Sequence, residues 1–303
     1  MIADDFRPAS PRDETAEPVR LVCAQVHGGN GRVRATLDLP DARGILFSQP
    51  SEGREGGDVY YVSVCGSGLI SRFCVADVVG HGQTVSAVSA EIHAVLRRLM
   101  NWIDHRRVLT QLNRLLTRKG LDAMTTLAVM TYFPPSRTLS FSYAGHPPGW
   151  YYSRREGRWS RLDLPPEREQ ERRFVDGALA VVEDACFTRS KRRVDAGDRL
   201  ILLTDGTLET PRPDREQFGE ARLAELLNEH QGLDLSSLAE TVVGALESFS
   251  GERPLRHDDV TLLLVEFQPS SRLQLVLNMM KTRVVHLLGR SDRPRVAAMR
   301  PSA

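Results

Sequence analysis

Short runs in which apolar and polar residues alternate, broken at glycine and proline, recur along this sequence, and each run predicts a strand. Val19 to Val26 and Arg32 to Leu39 flank His27-Gly-Gly-Asn-Gly31; the second alternates Val33, Ala35, Leu37 and Leu39 with polar neighbours, and the pair predicts a hairpin. Gly44 to Phe47 predicts a strand that leads into the glycine-rich stretch from Ser51 to Gly57. Val59 to Val64 and Leu69 to Val75, around the turn Gly66-Ser67-Gly68, predict a second hairpin. Met124 to Phe133 and Thr138 to Tyr143, across Pro134-Pro-Ser-Arg137, predict a third, and Trp150 to Ser153 with Trp159 to Leu164 a fourth. Arg199 to Thr204 and Val260 to Phe267 read as buried strands.

Elsewhere the period changes to that of a helix. Val85, Val88, Ile92, Val95, Leu99 and Ile103 make one apolar face, and Asp104 is placed to cap a further helix carrying Val108, Leu112, Leu115 and Leu116. Two more faces run through Leu223, Leu226, Leu227 and through Leu235, Leu238, Val242, Leu246, Phe249. Hairpins outnumber any strand–helix–strand pattern, so the sheets should be antiparallel with helices on their outer faces, an α+β layered domain. Its expected span is residues 19–268, with the core from about residue 42. Residues 1–18 are rich in Pro, Asp, Glu and Arg without periodicity and predict disorder. Pro165 to Arg173 predicts a solvated loop. Residues 269–303 carry seven basic residues and one acid, and Leu273, Leu277, Met280, Val284, Leu287 and Leu288 share a helical face. That tail predicts a helix packed on its own domain with a basic end, the alternative being a partner-docking or membrane-surface helix.

Composition narrows the classes. Forty basic residues against 39 acidic ones leave a charge of +1 over 303 residues, which excludes a surface built throughout for nucleic acid. No run approaches the ~20 apolar residues of a membrane span, and the polar N-terminus has no secretory core. Cys23, Cys65, Cys74 and Cys186 lack CxxC spacing, so neither a disulfide framework nor a structural zinc site is expected, and reduced thiols in a cytoplasm are the simplest expectation.

The chemistry gathers in aspartates at strand ends. Asp58 and Asp77 lie nine and ten residues from Ser67, the centre of the second hairpin, so folding it sets them side by side. Opposed residues in such a pair have Cβ atoms ~4.5–5.5 Å apart. Two carboxylates this close repel unless a proton or a cation intervenes. Asp205 ends one buried strand and Asp258-Asp259 begin the other; antiparallel neighbours would bring these together too. Four carboxylates without nearby Cys or clustered His suit hard cations such as Mg²⁺ or Mn²⁺ better than Zn²⁺. Asp58 follows two glycines and Asp205 precedes one, so turn chemistry explains either of these singly.

Five segments in order carry a resemblance: Gly56-Gly57-Asp58, Ala76-Asp77-Val-Val-Gly-His-Gly82, Tyr143-Ala-Gly-His-Pro-Pro148, Leu203-Thr-Asp-Gly206 and Asp258-Asp-Val-Thr261. Over about residues 42–268 the chain resembles the SpoIIE/RsbU branch of metal-dependent (PPM-type) serine/threonine phosphatases. The resemblance implies a sandwich of two antiparallel β-sheets flanked by helices and a centre of two Mn²⁺ or Mg²⁺ ions. Asp77 would bridge the ions, Val78 would add its backbone carbonyl, and Asp58, Asp205 and Asp258 would complete the protein ligands. Asp258 is preferred to Asp259 because it matches the first acidic position of the family motif. The implied activity is hydrolysis of phosphoserine or phosphothreonine on a regulatory protein, such as an anti-sigma-factor antagonist, by a water that the ions activate. The alternative is an inactive scaffold of the same fold that signals by binding. His81 is a candidate general acid against a turn role, Arg54 a candidate phosphate contact against an ordinary loop arginine, and His146 reads as a turn residue. The family often writes Gly-Gly-Asp-Tyr-Tyr-Asp; here Tyr61 stands where the second acid would be. The helix after the Asp77 loop is implied to couple an activator protein or a homodimer contact to metal binding. Neither nucleic acid nor membrane is an expected partner.

Overall fold

The alternating segments assemble into two sheets packed face to face, in a computed structural model that describes residues 17–80, 83–165 and 174–268. One sheet has seven strands, in the order β1 (Val19–Arg20), β3 (Val33–Leu39), β4 (Ala42–Gln49), β13 (Val260–Phe267), β12 (Arg199–Leu203), β9 (Trp150–Ser153) and β10 (Arg158–Arg161). The other has six, in the order β11 (Ser190–Arg193), β8 (Thr138–Ala144), β7 (Thr125–Phe133), β6 (Ser71–Val78), β5 (Glu55–Val64) and β2 (Gln25–Gly31). Every pairing is antiparallel except β1 with β3.

Alternation decides which side of each strand is buried against what. Leu37, Leu46, Val62, Phe73, Val75, Met130 and Leu263 fill the space between the sheets. The outer face of the six-stranded sheet, with Val59, Tyr61, Cys74 and Val129, is covered by α1 (Gln83–Arg98) and α2 (His105–Thr117) through Val88, Ile92, Val108 and Leu112. Ile45, Ile201, Leu262 and Leu264 on the other sheet are covered by α4 (Gly219–Glu229) and α5 (Leu235–Ser250) through Leu223, Leu227, Leu238, Val242 and Leu246. Each such side chain contributes ~1.5–3 kcal/mol on burial, which holds the four layers together. The expected α+β sandwich is the fold observed.

Three of the four predicted hairpins form, as β5–β6, β7–β8 and β9–β10. The first does not. β2 pairs with β5 and β3 with β4, so the two segments enter different sheets. His27-Gly-Gly-Asn-Gly31 continues β2 through an irregularity between Gly29 and Gly31 instead of turning. Its glycines serve close approach: a Cβ on Gly28 would run into the ring of His93 from α1.

The first helical face also ends sooner than its apolar period. Asp104 does cap α2, accepting from the Arg106 N–H at 3.2 Å, but α1 stops at Arg98 and leaves Ile103 40% exposed. Arg72, fully buried on β6, donates to the carbonyls of Leu99 (2.9 Å) and Trp102, which turns the chain off the helix axis. The Leu99 carbonyl, directly after the C-terminus of α1, carries partial negative charge and so accommodates the guanidinium. Among the described residues no helix is long and apolar enough to cross a membrane, and all four cysteines are free thiols. The tail at 269–303, the segment 1–16 and most of the Pro165–Arg173 loop lie outside the described residues.

Candidate functional site

The register of β5 against β6 sets Asp58 directly opposite Asp77. Side chains alternate, so Asp58 shares its face with Tyr60 and Val62, and Asp77 with Val75 and Phe73; both carboxylates lie on the face turned toward the other sheet. At the same end of the sandwich β12 stops and β13 starts, joined by the Thr204 N–H donating to the Thr261 carbonyl at 3.1 Å. Asp205 opens α3 (Asp205–Glu209) at that point. The next residue, Gly206, leaves no room for a side chain, because the Asp259 carbonyl fills the space a Cβ would take and the Asp258 Cβ is 3.3 Å from it. Acidic residues from four strand ends, two in each sheet, thus meet at one rim. Thr204 ties the halves together: its hydroxyl donates to Asp58 Oδ2 at 2.7 Å and accepts from the Thr261 N–H at 3.0 Å.

Charge is what these groups share. Burial, followed by the charges of Asp205, Asp258, Asp259 and Glu209, pushes Asp77 up to about 7. Asp58, 3% exposed, is raised well above the usual carboxylate range by burial and by Asp77 and Asp259, against the opposing hydrogen bonds of Thr204 and Thr261. Asp258 is raised by burial and by the charges of Asp205 and Asp259. Among the described residues the side chains do not close on one point as a ready-made cage. The donor set is nonetheless all oxygen, and the charges acting most strongly on Asp58 and Asp77 are other carboxylates, which is the condition that a divalent cation relieves.

The two adjacent acids, Asp258 and Asp259, have different surroundings. Asp259 is occupied as an acceptor: Oδ1 takes the Ser51 N–H (2.6 Å) and the Ser51 hydroxyl (2.9 Å), and Oδ2 takes the Gly57 N–H. It therefore pins the loop after β4 and the start of β5. Among the described residues Asp258 accepts only from the Asp259 N–H, at 2.7 Å, and its side chain is exposed. Two glycines make this packing feasible. A Cβ on Gly56 would strike the Asp259 carboxylate, and one on Gly57 would sit 2.7 Å from the Val78 carbonyl and 3.3 Å from Asp77 Oδ1. Gly57→Ala is therefore expected to displace Val78 and Asp77 and weaken Mn²⁺ binding tenfold or more, on the order seen when the support of a metal ligand is lost. Calorimetric titration with Mn²⁺ checks this, and unchanged affinity would show that Gly57 leaves no needed space.

The remaining predicted residues fall unevenly. Arg54 is exposed on the loop before β5. His81 lies outside the described residues. His146 is 5% exposed, with Nδ1 2.9 Å from the Pro147 carbonyl, in keeping with the turn role read from sequence; burial pushes it down to about 4, so the ring is neutral, and Asp205 is near enough to oppose that shift. Tyr61, at the position of the absent second acid, points into the helix-covered layer, away from Asp58, so its identity removes no carboxylate from the rim. Thr126 stands opposite Asp77 on β7. Sequence reasoning missed Thr204, Thr261 and Glu209. Glu209 follows Asp205 by four residues, a spacing that places both on one helical face, but no helix was expected in so short a stretch.

A family model described as Stage II sporulation protein E (SpoIIE) matches residues 71–268. Phosphoserine phosphatase RsbU of Bacillus subtilis (strain 168) is 25% identical over 198 residues, 64% of this chain and 55% of that protein. The chain thus spans about half the length of that relative. Among solved structures, the RsbU and RsbW domains of Rv1364c from Mycobacterium tuberculosis align with a TM-score of 0.61 at 21% identity, covering 80% of this chain and 71% of that one. The SiaA-PP2C domain of Pseudomonas aeruginosa gives 0.59 at 20% identity over 74% and 84%. The catalytic domain of the serine threonine protein phosphatase PstP, solved in complex with 2 manganese ions, gives 0.52 at 17% identity over 74% and 97%. These likenesses show the fold.

Proposed function

The chain belongs to the SpoIIE family, and from that premise we propose that it is a metal-dependent phosphatase acting on phosphoserine or phosphothreonine of a regulatory protein. The observation that carries the reading is the rim itself: acids from four strand ends in both sheets, where the charges acting on Asp58 and Asp77 come from other carboxylates. In this reading Asp77, Asp58, Asp205 and Asp258 hold two divalent ions, Mn²⁺ or Mg²⁺, together with the Val78 carbonyl. Such ions supply Lewis-acid charge for the phosphoryl oxygens and lower the pKa of water toward neutrality.

The protein's own groups do the rest. Asp258 serves as ligand and Asp259 as support, because the Asp259 oxygens are already taken by Ser51 and Gly57. Thr204 orients Asp58 through its hydroxyl. The position of the site at the exposed end of the sandwich suits a phosphorylated segment of another protein. Arg54, on the loop bordering β5, is proposed to meet the substrate phosphate, and His81 to donate the proton that the leaving serine oxygen requires. Replacing Arg54 with Ala is expected to raise KM a few-fold with little change in kcat, as for loss of a uniform binding contact.

The reading is tested by hydrolysis of p-nitrophenyl phosphate and of a phosphoserine peptide in Mn²⁺, Mg²⁺ or EDTA. Turnover that requires the ion is expected. Purified protein that binds Mn²⁺ yet turns over neither substrate would favour a scaffold that signals by protein binding. A substrate of the anti-sigma-factor-antagonist type, an activator protein and a homodimer remain part of this proposal.

A further inference from the structure

We propose that His146 is a positioning residue of the acidic rim, its Nε2 accepting a hydrogen bond from a water molecule that Asp205 also holds. The inference rests on the phosphatase reading above and adds a residue to it.

The ring is fixed before any ligand arrives. Gly145 has φ +66°, donates its N–H to the Asp176 carbonyl at 2.7 Å, and has no space for a Cβ, which would lie 2.6 Å from the Ala178 nitrogen. This left-handed, crowded glycine dictates where the next side chain goes. His146 is then 5% exposed with Nδ1 2.9 Å from the Pro147 carbonyl. A carbonyl only accepts, so the Nδ1 edge carries the proton and Nε2 is left as a bare acceptor. Among the described residues nothing pairs with Nε2, although it is buried. A buried polar atom without a partner costs ~1–3 kcal/mol. The turn contact uses Nδ1 alone, so it gives no reason for a side chain that brings this penalty.

Asp205 supplies the reason. β9 and β12 run antiparallel with Ile201 opposite Trp150, so the chain leading back from Trp150 to His146 heads for the end at which Asp205 follows β12, and the charge of Asp205 acts on the His146 ring. A carboxylate oxygen and a bare imidazole nitrogen are both acceptors and cannot bond to each other. A donor with two protons satisfies both, and water is the one available at an exposed strand end. That water is thereby oriented beside an acid on which the hydrolysis depends. Fixing of this kind by groups behind the ligands alters affinity or activity ~10–100-fold when it is lost.

Two variants separate positioning from turn-making. The amide of His146→Asn reaches the Nδ1 position and keeps the Pro147 contact without a distal acceptor. The longer His146→Gln brings an amide oxygen to the Nε2 position and gives up the turn contact. Both are compared with the wild type by calorimetric Mn²⁺ titration, by kcat and KM for p-nitrophenyl phosphate, and by melting in EDTA. The expected result is that His146→Asn melts near wild type in EDTA yet loses ~10–100-fold in Mn²⁺ affinity and kcat with KM little changed. His146→Gln is expected to recover most of both losses. Asn matching or exceeding Gln in affinity and kcat overturns the proposal and leaves His146 a turn residue. Failure of the phosphatase reading shows differently, as wild-type protein without Mn²⁺ binding or turnover, and takes the inference with it.

Discussion

Asp77→Asn is expected to lower Mn²⁺-dependent hydrolysis of p-nitrophenyl phosphate by ~10³-fold or more and, in the same protein, to raise the melting temperature of the metal-free form above pH 7. The first effect follows from the several kcal/mol of transition-state charge stabilisation that metal ions supply, at 1.36 kcal/mol for each factor of ten in rate. The second follows from the raised pKa. Asp77 sits at about 7 in the folded chain because burial and four other carboxylates disfavour its charge, against a value near 3.8 when unperturbed. Between those values the folded state binds more protons than the unfolded one, so stability falls as pH rises through that window. Below it both states are protonated and there is no penalty; above it the penalty is complete. Asparagine has the shape of the protonated acid and cannot ionise. The gap between variant and wild type in EDTA should therefore be absent near pH 4, widen toward pH 7 and then level off. Saturating Mn²⁺ should reverse the order, since binding to the native state stabilises it in proportion to affinity. Scanning calorimetry across pH 4–8.5, with and without Mn²⁺, reads all of this. A variant no more stable than wild type in EDTA at pH 8 would falsify the account of a rim strained by its own charge.

Asp259→Ala should cost the most among changes that remove no proposed ligand. It abolishes the acceptor for the Ser51 N–H, the Ser51 hydroxyl and the Gly57 N–H at once, and leaves backbone donors unpaired behind Asp58. Hydrogen bonds to a charged group contribute ~1.5–3 kcal/mol, and a domain of this size loses ~2–4 °C of Tm per kcal/mol, so a fall of several degrees is expected. Because Gly57 flanks the Val78 carbonyl and Asp77 Oδ1, Mn²⁺ affinity should drop as well, by ~10–100-fold. Asp259→Asn should be intermediate: its one oxygen keeps one set of donors, while its NH₂ faces the other set donor to donor. The same calorimetry, with Mn²⁺ titration, checks both. An alanine variant that melts and binds like wild type would make Asp259 the free acid and reopen the choice between it and Asp258.

Much of this arrangement was legible from residues close together in the chain. The Asp58–Asp77 pairing needed only a two-strand count across Gly66-Ser67-Gly68, and the register matches it. Asp104 as a cap and the faces of α4 and α5 were equally local. What failed was wherever a local signal had two uses. Glycines in His27-Gly-Gly-Asn-Gly31 could mean a turn or close approach, and only His93 arriving from α1 shows which. The apolar period through Ile103 carried no sign that Arg72, on a strand almost thirty residues earlier, would end α1. Asp258 and Asp259 are neighbours of one chemical type, and only partners some two hundred residues away at Ser51 and Gly57 tell them apart.

By itself, then, the sequence determined the layered α+β architecture, three of four hairpins and the presence of acids at strand ends, because period-two alternation and turn chemistry act over a few residues. The tertiary structure alone decided which sheet β2 and β3 entered, which acid supports and which stays open, and which buried nitrogen on His146 has no partner. Those outcomes depend on which distant groups compete for the same donors and the same space, and that competition exists only once the layers have packed.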